Sequence, residues 1–105
     1  MIDSLHQLKK NLEHSRFVCS DNNGIMIRFL PLGVLEVYGK NPGKPYKHTY
    51  HLSKIGDNII MKTCPSIMDN GSDFKVFMIK NHLTFESLKG IKETVHFTRL
   101  GAKID

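Results

Sequence analysis

The chain has 105 residues, 40% hydrophobic and 24% charged, with no Trp. That length and balance fit one globular domain with a modest core and exclude a disordered chain. The net charge of +5, with six His held in reserve for lower pH, favours contact with anions, acidic proteins or membrane surfaces without selecting among them.

Met1-Ile2-Asp3-Ser4 opens the chain without an apolar signal segment, and no later run has the length of a membrane span. The cytoplasm is therefore the expected place unless a leader was removed, and the two Cys are expected as free thiols. Residues 3–14 suit a helix. Ser4 can cap it, Gln7 follows three residues later as in a capping box, and Leu5, Leu8 and Leu12 share one face. Such a stripe is read as a lid or plug over an apolar surface.

After Ser15 the periodicity changes to that of strands. Arg16–Ser20, Ile25–Leu30 and Val34–Tyr38 are β-like runs, separated by Asp21-Asn22-Asn23-Gly24 and by Leu30-Pro31-Leu32-Gly33, both turn sequences. Residues 39–47 (GKNPGKPYK) form a loop by virtue of their prolines and glycines. His48–Lys54 and Asn58–Cys64 flank a tight turn at Gly56-Asp57, and a loop containing Asp69-Asn70-Gly71 follows Pro65. Asp73–Ile79, His82–Leu88 and Lys92–Leu100 are rich in Phe, Val, Ile and Thr, as half-buried strands are. Lys80-Asn81 has the length of a two-residue hairpin turn, Lys89-Gly90-Ile91 makes a longer one, and residues 101–105 form a tail.

Eight strands joined mostly by short turns predict a mainly β fold: an antiparallel up-and-down meander closed into a barrel, with one short N-terminal helix, in one domain over residues 1–105. Alternation places Ile25, Ile27 and Phe29, Tyr50 and Leu52, Ile59 and Met61, Phe74, Val76 and Met78, Leu83 and Phe85, and Val95 and Phe97 inside. Met26, Leu30, Leu35, Val37, Ile60, Phe77 and Ile79 are expected on the outer face, some beneath the helix and the rest at an oligomer interface.

From Arg16 to Leu100 the chain resembles the bacterial lipocalin-like domains of the calycin type. The resembling residues are the GDNIIM and FKVFMIKNHLTFES hairpins, with Ile79-Lys80-Asn81-His82-Leu83-Thr84-Phe85 in the family's hairpin form, and the terminal Phe97-Thr98-Arg99. The resemblance implies that Arg99 packs over an aromatic residue of the first strand and closes the barrel bottom. Phe17 stands nearest to the place of the family's Trp. An Arg merely exposed at a strand end is the alternative.

Few other residues suggest chemistry. His48 and His51, three apart in a strand, point to opposite faces, and in the last hairpin Thr84 rather than His82 is expected opposite His96, so no metal site is expected. Cys19 and Cys64 fall on opposite barrel walls, too far apart for a disulfide, which needs Cα atoms within about 7 Å. Glu36 and Glu86 are expected to face solvent. Lys40, Lys44 and Lys47, with Tyr38 and Tyr46, make the one local basic-aromatic cluster, either a grip for a phosphate, an acidic partner or single-stranded nucleic acid or, the preferred reading, simply a mobile, solvated loop at the barrel mouth. The remaining lysines are dispersed, as on a solvated surface, and no nucleic acid is expected as partner.

The resemblance implies a non-enzymatic domain that binds a small apolar or amphipathic ligand, without a cofactor. Its ligand contacts would come from Ile25, Ile27, Phe29, Tyr50, Leu52, Met61, Phe74, Val76, Met78, Phe85 and Phe97. The alternative is a protein-interaction module, such as an adaptor, an inhibitor or a homodimer, using the apolar strand faces and the basic 39–47 loop.

Overall fold

The computed structural model of the protein describes residues 4–20, 24–39, 44–65, 67, 73–88 and 93–100. A helix, α1 (Leu5–Leu12), precedes β1 (Arg16–Cys19), β2 (Met26–Leu30), a single 3-10 turn (Pro31–Gly33), β3 (Val34–Tyr38), β4 (Tyr46–Ile55), β5 (Asn58–Cys64), β6 (Asp73–Ile79), β7 (His82–Ser87) and β8 (Thr94–Leu100). Each strand pairs antiparallel with the next, and β8 returns to pair with β1, giving a closed up-and-down barrel. Closure leaves no unpaired sheet edge.

The helix is shorter than the expected 3–14 because its ends are set locally. The Ser4 Oγ accepts from the Gln7 N–H at 3.4 Å, so Ser4 lies outside as the cap. At the other end His14 takes φ 63°, a left-handed conformation that ends a helix, and its N–H donates to the Phe29 carbonyl at 2.9 Å. Leu8 and Leu12 are fully buried in one cluster with Phe17 and Phe29, and Leu5 packs against it. The helix therefore plugs one end of the barrel rather than lying along its wall.

β3, β5 and β6 have the expected bounds, and the other strands differ from expectation at their ends. The β6–β7 turn is Lys80-Asn81, with Lys80 at φ 54° and Ile79 paired to His82. Thr84 pairs with His96, the pairing expected from setting Leu88 opposite Lys92 across the turn. The expected turns at 21–23 and 89–91, the Asp69-Asn70-Gly71 loop and the 101–105 tail lie outside the described residues.

One part of the expected inside-outside pattern is wrong. Leu35 and Val37 face inward: Leu35 pairs with Phe29 and is fully buried, while Val37 pairs with Ile27 and packs against the core. The run Val34-Leu35-Glu36-Val37-Tyr38 carries apolar residues in both phases, so alternation could not fix its face. The compact Pro31–Gly33 turn fixes the register instead. Gly33 is required there, at φ 71°, because a Cβ would meet the Tyr50 carbonyl oxygen at 2.9 Å. Glu36 does take the outer face but is not solvated. It is only 9% exposed and accepts a 3.0 Å hydrogen bond from the Tyr38 hydroxyl.

Candidate functional site

Arg99 is inward-facing at the helix end of the barrel. Its pairing with Phe17 in the β1–β8 ladder puts both side chains on the inner face, and its Cζ lies 5.6 Å from the centre of the Phe17 ring. The Arg99 Nη2 donates to the Asn11 carbonyl at 2.9 Å and to Asn11 Oδ1 at 3.3 Å, tying α1 to β8. Its Nε is buried without a hydrogen-bond partner. Burial pulls the guanidinium pKa below its ordinary value, the direction that desolvation imposes on a cation. The arrangement is a clamp that holds the helix over the barrel end.

Above the clamp the barrel is filled. Phe29, Met61, Phe74 and Met78 are completely buried, with Leu52 and Val76 nearly so. The Phe29 ring meets Phe17 edge-on at 5.8 Å and Tyr50 at 5.3 Å, while Phe74 and Phe85 stack tilted at 4.6 Å. An eight-stranded barrel is only wide enough for such side chains or one small ligand. Here Phe29, Met61, Phe74, Val76 and Met78, expected as ligand contacts, lie in the packed core, and Leu52, also buried, borders a hollow beside α1.

Space appears at the opposite end. Ile25, Ile27, Phe85 and Phe97 line a half-open cavity of about 170 Å³. Cys19, Val37, Ile67 and Val95 add to its apolar wall, and among the described lining residues Glu93 supplies the one carboxylate. The Glu93 N–H donates to the Ser87 Oγ at 2.7 Å, which fixes the backbone where β8 begins. The site therefore joins an apolar, aromatic-lined hollow to the Glu93 carboxylate. Of these residues, Val37 was expected on the outer face, and neither Ile67 nor Glu93 was a candidate contact; Glu93 none the less had a signal. It stands two residues before inward-facing Val95, so period-two alternation carried its signal.

A second hollow, about 440 Å³ and wider open, is lined by residues of α1, the 3-10 turn and β4 at the helix end. Lys9 and Glu13 face it from the helix, with Tyr50 and His51 from β4. Burial, and then the neighbouring Glu13 carboxylate, raise the Tyr50 phenol above its ordinary 10.0.

The remaining candidates are dispersed. The His48 Nδ1–H donates to the Pro65 carbonyl at 2.7 Å, whereas His51 is exposed on the other face of β4. Among the described residues no three His, Cys, Asp or Glu side chains gather as a metal site would require. Cys19 is a buried free thiol and Cys64 an exposed one. Lys40 lies outside the described residues. Lys44 and Lys47 are exposed, but Tyr38 is held on the outer wall by Glu36 while Tyr46 stands exposed in the inward phase of β4, opposite Val37. The aromatic half of the expected basic cluster is thus split between two faces. Among the described residues, no helix is long and apolar enough to cross a membrane. In comparisons with known proteins, no family model matches the chain, and neither a curated protein nor a solved structure matches it.

Proposed function

We propose that the protein is a non-enzymatic, lipocalin-like binding domain that holds a small apolar or amphipathic molecule at the barrel mouth. The observation that carries this reading is the half-open apolar cavity of about 170 Å³ with Glu93 as the one charged residue among the described residues that line it. The size sets the ligand. A dry apolar cavity near 150 Å³ accommodates benzene, whereas pockets for drug-sized molecules run from roughly 300 to 1,000 Å³. The ligand is thus a single ring or short branched chain, and a cationic or hydrogen-bond-donating head suits the Glu93 carboxylate. The closed meander and the Phe17–Arg99 contact agree with the lipocalin resemblance of the sequence.

Calorimetric titration with benzylamine and with toluene tests the reading. Both probes are expected to bind. Val95→Phe, which fills the hollow, abolishes binding of both. Glu93→Gln weakens benzylamine by about tenfold, the scale of one charge-assisted hydrogen bond, and leaves toluene unchanged. Binding of neither probe, or undiminished binding to Val95→Phe, overturns it.

A further inference from the structure

The up-and-down order brings α1 and the β2–β3, β4–β5 and β6–β7 turns to one end of the barrel. Among the described residues, four exposed aliphatic side chains stand around that end: Leu32 (98% exposed), Ile55 (65%), Ile79 (45%) and Leu100 (42%). Leu32 is held there by the backbone. The turn packs main chain to main chain on β4, since a Cβ on Gly33 would meet the Tyr50 carbonyl oxygen at 2.9 Å. Leu32 itself takes φ 65° and ψ 29°. That left-handed conformation is unfavourable for a branched apolar residue, and its side chain gains almost no burial within the barrel in return. Strain retained without an internal contact points to an external one.

Basic side chains surround these tips. Lys9 and Lys10 on α1, Arg16 at the start of β1, Lys54 beside the β4–β5 turn and Lys80 within the β6–β7 turn are all exposed. The exposed carboxylates described at the same end are Glu13 and Asp57, so cations outnumber them. The apolar tips belong to separate turns and strand ends in the barrel order, at β2–β3, β4–β5, β6 and β8, rather than to one strand face. A protein partner needs a contiguous desolvated centre, and a second copy of this end would bring like charges together. A bilayer interface accepts separate insertions, and its anionic headgroups complement the lysines.

We propose that the helix-capped end of the barrel docks on an anionic lipid surface. Leu32 and Ile55 enter the interface, and Lys9, Lys10, Lys54 and Lys80 contact headgroups around them. The cavity described above lies at the other end, facing away from the membrane.

Co-sedimentation with vesicles of phosphatidylcholine alone, and of phosphatidylcholine mixed with phosphatidylserine, tests the proposal. The protein is expected to pellet with the mixed vesicles only, and to be released by salt. Leu32→Ser with Ile55→Ser, and separately Lys54→Glu with Lys80→Glu, should each weaken binding by about tenfold or more, because each basic residue near such a surface contributes measurably. These residues are exposed, and an unchanged melting temperature confirms that each variant is folded. Lys44→Glu with Lys47→Glu, at the opposite end, should leave binding unchanged. Equal binding to both vesicle types, binding to neither, or equal loss in the Lys44 and Lys47 variant overturns the proposal. Retention on immobilised polyglutamate without vesicle binding also overturns it and assigns this end to an acidic protein.

Discussion

At the scale of single residues, Arg99 does the most distinctive work. It is a partly buried cation that meets an aromatic face, a backbone carbonyl and a side-chain oxygen, yet leaves its Nε unpaired. Removing it with Arg99→Ala forfeits a charge-assisted hydrogen bond and a cation–π contact, an expected loss of about 2 kcal/mol in urea unfolding. Arg99→Met should cost less, because its aliphatic chain still covers Phe17 and no unpaired nitrogen stays buried. Tyr50 makes a second prediction. Its phenol is raised above 10.0 by burial and by Glu13, so on the way up in pH the unfolded chain loses this proton before the native one. In that alkaline window the native state binds more protons, and stability falls as pH rises. Tyr50→Phe should flatten the decline above pH 10.0 while leaving the slope near neutrality unchanged, as pH-dependent urea midpoints will report.

At the scale of elements, the connections determine what alternation alone cannot. The helix could be placed from Ser4, Gln7 and the three leucines, because capping chemistry and a 3.6-residue period are local properties. Likewise β5, β6 and the Lys80-Asn81 turn were readable from their own residues. β3 was not, since both of its faces are apolar and its register is handed to it by the turn before it. That turn depends on Gly33. Gly33→Ala should destabilise the barrel by about 2–3 kcal/mol, combining a left-handed alanine with a close approach to the Tyr50 carbonyl, measurable as a lowered urea midpoint. An ordinary glycine replaced by alanine in a relaxed turn would instead gain stability.

At the scale of the whole molecule, closure by β1 and β8 divides the interior into three levels. Arg99, Phe17 and the helix leucines seal one end, the aromatic and methionine side chains fill the middle, and an apolar hollow is left at the other end. The sequence pattern was enough to foresee a barrel and, outside β3, to say which residues point inward. It could not say which of those residues touch each other and which border empty space, because that depends on the barrel's curvature and on how neighbouring strands stagger. Phe74 and Phe97 occupy equivalent inward phases, yet only Phe97 borders the hollow. The most direct test of a ligand site at the mouth is a titration of methyl-labelled protein with benzylamine, followed by NMR. Saturable shifts are expected at Ile25, Ile27, Val37, Ile67 and Val95, with the methyls of Leu8, Leu12 and Leu83 unmoved. Shifts confined to the helix-end leucines, or none at any methyl, would contradict it.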